Sequence, residues 1–504
     1  MQGWTDGYVT EIGYTHGFHA ELLPWSMAAA LGPRAPIRPD AGFDYCELGF
    51  GQGFTLALMA AANPQARFWG NDINPAHVAH VRGLATRAGL GNLTVSDRGF
   101  AEYGRAGLPG FDIIALHGVW SWVGPVQRAE IVDFIARHLK PGGVVYMGYN
   151  VLPGWGQYMP LRELMLASVM RGQGGLPDRI QGALALADRL RAAGAAHFQV
   201  NPTVSARLDQ LLDRPVAYLA HEYFNENWHP TYFTDLAASL APAGLSLAAQ
   251  ARAADRWEEE PRRQAILTAG GAAAADDPAF AELLRDFLSN RPFRRDLFIR
   301  VGGQAGTGDM AGQGDRIWAA LGTPRDLPRR ATPATLPVEP PFDEAHALLT
   351  ALMQGPQAEQ ALLAPLGDRG PAALAALAAL SLVTPALPET GLARRRESCA
   401  RLNALLLADA QQADRMTALA CPVTGGAVET SRIELLFLAA LEKGTEPAAF
   451  AWKVLEAAGQ RVLRDGRPLD TPDRNRAELA DQWESFARRR LPLLRLLGAV
   501  QQDG

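Results

Sequence analysis

The chain has 504 residues, 48% of them apolar, and a formal net charge of −5. That size suits roughly two to four domains with sizeable cores, and the mild acidity argues against a protein whose main task is to grip nucleic acid. Three cysteines, Cys46, Cys399 and Cys421, lie far apart without CxxC spacing; this argues against a disulfide framework and a cysteine zinc site and points to a reducing compartment, the cytoplasm.

The opening run, "MQGWTDGYVTEIGYTHGFHAELLP", has no basic leader and no long apolar core, so neither a signal peptide nor a membrane anchor is expected. "FDYCELG" (43–49) reads as a buried strand and "FTLALMAAANP" as a helix stopped near Pro64. "ARFWGND" (66–72) is a second strand, "PAHVAHVRGLATRAGL" a helix, "LTVSD" a short third strand and "FDIIALHG" (111–118) a fourth. "VQRAEIVDFIARHLKPGG" is a helix ended by Pro-Gly-Gly, and "VVYMGYN" is a fifth strand. Strands alternating with helices at this spacing predict an α/β fold with a Rossmann-like, doubly wound and mostly parallel sheet. Residues 151–300 form a helical insertion in which "GLSLAAQA" and "QAILTAG" are candidates to complete the sheet, and "FAELLRDFLSNRPFRRDLFIR" is helix-rich. Residues 301–341 are a Gly- then Pro-rich linker, and 342–504 an Ala/Leu-rich helical domain with no obvious catalytic constellation.

The stretch after the first strand carries the chemistry. Glu47 is followed by Gly49, Gly51 and Gly53. Glycines after a strand allow a tight turn and close backbone approach to a ligand. A dinucleotide fingerprint needs its third glycine three residues after the second, and that position is Phe54; a phosphate loop needs GK[ST], which is absent. Glu47 would repel a pyrophosphate and suits a cation, as in S-adenosylmethionine with its ammonium and sulfonium. Asp72, at the end of the second strand, stands where a carboxylate accepts ribose hydroxyls.

"ELGFGQG", "GNDINP", "HGVWSWV" and "KPGGVVYMGYNVLPGW", with "HEYFNENWHPTYFTDLAASLAPAGL" and "DFLSNRPFRRDLFIR" further on, resemble class I S-adenosylmethionine-dependent methyltransferases with a methyltransferase regulatory domain. The resemblance covers roughly residues 7–300 well and the remainder loosely. It extends to bacterial protein lysine methyltransferases, and it implies a dimerisation region, hence a homodimer, and a winged-helix-like C-terminal domain. It also implies S-adenosylmethionine as cofactor. Gly49, Gly51 and Gly53 would then line its methionine end, Asp72 would hold the ribose, Ile73 would pack the adenine, and His117 would face the reactive methyl. An acid or serine commonly follows the third strand in such proteins; here Gly99 and Phe100 fall at that place, and Asp97 comes two residues early.

His117 either caps its strand or serves the site. Trp120 and Trp122, with Tyr149 and Asn150 at the end of the fifth strand, are either core or the wall of a substrate pocket. His117, Tyr149 and Asn150 are the catalytic candidates, His117 as a base. Tyr14, Trp120 and Trp122 are the substrate-binding candidates, and Tyr8, Tyr14 and Phe18 a lid. His77 and His80 fit a solvated helix face better than a metal site, and "ARRRESCAR" (393–401) and "ARRRLPLLRLL" (487–497) fit solvated or partner-binding faces. Methyl transfer from a sulfonium requires no metal. The expected acceptor is a protein lysine; alternatives are a small molecule or glycan, or a regulatory protein with a vestigial site. No nucleic acid or membrane partner is expected. Residues 1–300 are expected to bind cofactor unaided, with 342–504 selecting the acceptor.

Overall fold

The computed structural model describes residues 12, 17–38, 41–257, 259–300, 316–328 and 341–501. Seven strands form the main sheet: β1 (Asp44–Leu48), β2 (Arg67–Asn71), β3 (Leu93–Ser96), β4 (Phe111–His117), β5 (Leu139–Asn150), β6 (Leu245–Gln250) and β7 (Phe293–Arg300). Their order is β3-β2-β1-β4-β5-β7-β6. The first five run parallel, and β7 lies antiparallel between β5 and β6. Both faces of β1 are covered, so all five of its residues are buried, and it reads as a run without polar alternation.

Three expectations are corrected. "QAILTAG" lies in the helix Glu259–Asp276, not in a strand; a short apolar run fits either period, and the alanines around it favour the helix. The helix-rich reading of "FAELLRDFLSNRPFRRDLFIR" holds for Pro278–Ser289, but the last eight residues are β7. Their charged look conceals alternation: Arg294, Asp296 and Phe298 share one buried face. Third, the stretch read as linker contains a strand, Ile317–Ala320, which pairs with Val383–Ala386 and Gln357–Ala358. The remainder of that linker, 301–315 and 329–340, lies outside the described residues.

The C-terminal part is mainly helical, with this small sheet and the hairpin Ala418–Cys421/Gly426–Glu429. It shares a core with the larger sheet. All nine residues of the helix Phe54–Ala62 are buried, because the helix Leu392–Ala410 and the hairpin cover its outer side. Asn63 stitches the seam: its Oδ1 accepts Trp25 Nε1–H at 2.8 Å and its Nδ2 donates to Gly425 O at 2.7 Å. The basic run 393–401 lies on this seam with most of its residues exposed. Arg395 is buried and donates to the carbonyls of Pro388, Thr390 and Pro422, and Arg401 donates to Ala88 O. Among the described residues, no helix is long and apolar enough to cross a membrane.

Candidate functional site

Parallel strands end together, so the loops after β1, β2, β3 and β4 converge at one edge of the sheet. A cavity of about 600 Å³ opens there, a size suited to a cofactor and part of a second molecule.

β1 delivers Glu47 to the wall of this cavity. The side chain is buried, its Oε2 has no hydrogen-bond partner among the described residues, and burial, followed by the charge of Asp72, pushes its carboxyl up to about 8. A carboxyl orphaned in this way is costly unless a ligand completes it, and a cation is the complement. Gly49, Gly51 and Gly53 have φ of +70, +60 and +65°, values that residues with a Cβ rarely adopt. Gly49 and Gly51 line the cavity; Gly53 does not. It caps the helix Phe54–Ala62, and a Cβ on it would lie 2.3 Å from Val81 Cγ2. The third glycine serves packing, against the expectation that it touches the ligand.

Asp72 lines the same end and braces the loop. Its Oδ2 accepts Gly51 N–H at 2.8 Å, its Oδ1 accepts Asn74 N–H at 2.9 Å, and His77 Nδ1 lies 3.0 Å from Oδ1. Of about four lone-pair directions on a carboxylate, one remains, so a ribose taking two bonds must displace one of these. His77 is buried against Asp72, and the solvated face expected for it is corrected: its polar partner lies inside the fold. Ile73, Gly99 and Phe100 line the cavity, while Asp97 is exposed.

β4 and β5 build the other end. His117 lines the cavity, its Nδ1 2.8 Å from the Tyr146 hydroxyl and its ring tilted against that of His19 with centroids 4.1 Å apart. Burial first, and the neighbouring His19 second, push its imidazole down to about 3. It is therefore neutral and too weak a base to take a proton from an ammonium, which corrects the role expected of it. Asn150 also lines the cavity; its N–H donates to Ser121 Oγ and its Oδ1 accepts from Trp155 Nε1. Tyr149 points elsewhere: it is fully buried, and its hydroxyl donates to Asp296 Oδ2 at 2.7 Å. Of the two tryptophans, Trp122 lines the cavity and leans on Trp228, whereas Trp120 is core, 1% exposed. The two lie in the 3-10 turn Val119–Trp122, where positions two apart point to different sides of the axis. Tyr8 and Tyr14 lie outside the described residues; Phe18 packs against the core and lines a neighbouring cavity.

The sequence reading missed His19, Tyr218, His221, Glu222, Phe293 and Arg295, which all line this cavity. They come from three distant segments, and no local spacing joins them to Glu47. His221 and Glu222 do fall in the "HEYFNENW" string that carries the resemblance, the one signal available for them.

Residues 46–145 match the family described as a methyltransferase domain, and residues 215–300 match the predicted methyltransferase regulatory domain. An uncharacterized protein of Synechocystis, sll1526, is 34% identical over 511 residues, covering 98% of this chain and 99% of its own. A tRNA (guanine-N(7)-)-methyltransferase of Yersinia enterocolitica is 30% identical over 167 residues; the match spans 32% of this chain and 64% of that enzyme. Among solved structures, PKMT2 from Rickettsia typhi in complex with AdoHcy shares the fold, with a TM-score of 0.65, 17% identity, and coverage of 96% of this chain and all of that one.

Proposed function

The chain belongs to the family of class I S-adenosylmethionine-dependent methyltransferases that carry a methyltransferase regulatory domain, and from that premise we propose that its acceptor is an amine, the side chain of a protein lysine. The observation that carries this reading is the lining of the cavity, to which Trp122, Tyr218, Phe293 and the Glu222 carboxylate all contribute besides the residues suited to the cofactor. Aromatic faces attract an ammonium by about 0.5–2 kcal/mol, and an acid nearby adds to that attraction. The likeness of the sequence strings to bacterial protein lysine methyltransferases supports the same class.

Other residues of the lining suit the cofactor. Glu47, whose oxygen lacks a partner among the described residues, would hold the ammonium of its methionine part; Asp72 would hold the ribose; Ile73 and Phe100 would flank the base. When bound, the cofactor supplies a methyl group already activated by a sulfonium. The acceptor nitrogen would take that methyl group through its lone pair, leaving the sulfur neutral. The nitrogen must first lose a proton, and burial in a largely apolar cavity favours its neutral form. The protein's contribution is alignment and exclusion of water, with Asn150 and the neutral His117 as polar walls rather than as bases.

The test is methyl transfer by the full chain. Cofactor labelled in its methyl group is incubated with a cell lysate, which is then separated into protein, glycan, nucleic acid and small molecules. Label in protein, recovered as methyllysine after hydrolysis, is the expected outcome. Label confined to any other fraction overturns the lysine reading, and no label together with intact cofactor binding favours a regulatory role.

A further inference from the structure

At the wall between two cavities, three side chains from distant parts of the chain bring metal-type donors together. His19 and His117 line the cofactor cavity, Glu21 lines a second one of about 480 Å³, and Arg295 lines both. One donor atom from each of His19, Glu21 and His117 lies within 4.8 Å of the others. The two imidazole rings touch, with centroids 4.1 Å apart, but none of the hydrogen bonds described joins these three side chains to one another.

Each is held instead from outside. Tyr146 hydroxyl sits 2.8 Å from His117 Nδ1, which fixes the ring and leaves Nε2 as the remaining donor. Arg295 Nε donates to Glu21 Oε1 at 2.7 Å, bracing one oxygen of the carboxylate. His19 N–H donates to Thr55 Oγ1 at 3.0 Å, tying that segment to the helix Phe54–Ala62. Outer partners of this kind, orienting an imidazole through its other nitrogen and a carboxylate through its other oxygen, accompany metal ligands. Two imidazoles and one carboxylate suit zinc, cobalt or nickel rather than magnesium or calcium, which prefer oxygen alone. Donors around such an ion stand about 2.0–2.2 Å from it, so the cluster must contract by about an ångström, within the reach of side-chain rotation. The Arg295 charge opposes a second cation; the Glu21 carboxylate between them offsets it.

We propose that His19, Glu21 and His117 form a site for one divalent transition-metal ion of the zinc class, set in the wall of the acceptor end of the cavity. Three protein ligands leave a position open. If the acceptor is an amine, a consequence that rests on the reading above, coordination ties up the lone pair that must attack the methyl, so the ion inhibits transfer. The site itself does not depend on that reading.

Cobalt(II) added to the metal-free full chain tests the site directly, since a tetrahedral or five-coordinate imidazole–carboxylate complex absorbs in the visible range. The expected result is a visible band saturating at one equivalent and bleached by zinc. His19→Gln and Glu21→Gln, each checked for native near-ultraviolet circular dichroism, should weaken zinc binding by about a hundredfold or more. S-adenosylhomocysteine binding, measured on the same samples, reports separately on the cofactor end. Absence of the band in the unmodified chain, or a band that both folded variants retain at unchanged affinity, overturns the proposal.

Discussion

Glu47 is the residue whose chemistry changes most when the site fills. Burial and the Asp72 charge hold its carboxyl up to about 8, so near neutral pH it carries a proton. A cofactor ammonium favours the ionised form and expels that proton. Calorimetry of S-adenosylhomocysteine binding at pH 7 in two buffers of different ionisation enthalpy should therefore show release of about one proton, and Glu47→Gln should show none; equal heats in both buffers would count against this. The sign for stability follows from the same shift. The folded value lies above the ordinary one of 4.5, so folding takes up a proton between the two. The contribution of Glu47 is fully present below 4.5 and is lost as pH rises through about 8, and the melting temperature of the empty protein should fall over that range relative to Glu47→Gln. Glu47, Gly49, Gly51 and Asp72 were legible in the sequence because the end of a strand and the turn after it fix their places. Gly53 was misread because a left-handed glycine looks the same in sequence whether a ligand or Val81 fills the space beside it.

At the scale of elements, β7 is held by one arginine. Arg294 is fully buried and donates to Asp296 at 2.7 Å, Asp286 at 2.9 Å and Glu282 at 2.6 Å, its guanidinium lying over the Phe233 ring. The Tyr149 hydroxyl completes the Asp296 site. These bonds tie the helix Pro278–Ser289 to β7, and β7 to β5, within the regulatory region. They also account for what the sequence concealed: "FRRDLFIR" has the alternation of a strand only once two of its charges are recognised as buried, and besides each other their partners lie on other elements. Removing one partner of such a cluster leaves charge without compensation. Arg294→Ala should cost about 3–5 kcal/mol in urea unfolding, and a loss below about 1 kcal/mol would mean that the three acids find water or protons instead. Tyr149, expected at the reaction centre, belongs to this network, which explains an aromatic at the end of β5 without assigning it any contact with substrate.

At the scale of the whole molecule, the sequence suggested separable parts because every cofactor-type signal precedes residue 150 and a Gly- and Pro-rich stretch follows residue 300. The structure separates chemistry from stability instead. Among the described residues the cofactor cavity is lined by residues up to Arg295, yet the core beneath it is shared. The helix Phe54–Ala62 directly follows the glycine loop and has the sheet on one side and the C-terminal part on the other. Removing that part would expose the outer side of this helix and part of Pro75–Ala88. It would also strand Asn63, which loses Gly425 as a partner, and Trp25, against which Gly425 packs. Each large apolar side chain uncovered costs about 1.5–3 kcal/mol, against a total stability of about 5–15 kcal/mol for a typical domain, so a few such exposures suffice to unfold the remainder. A chain ending at Arg300 should therefore be insoluble, or soluble and at least tenfold weaker for S-adenosylhomocysteine than the full chain, because the loop is no longer held by a fixed helix. Supplying residues 316–504 as a separate chain should restore solubility and binding together. If instead the shortened protein unfolds cooperatively on its own and binds within about threefold of the full chain, the shared core is dispensable and the C-terminal part acts on the acceptor alone.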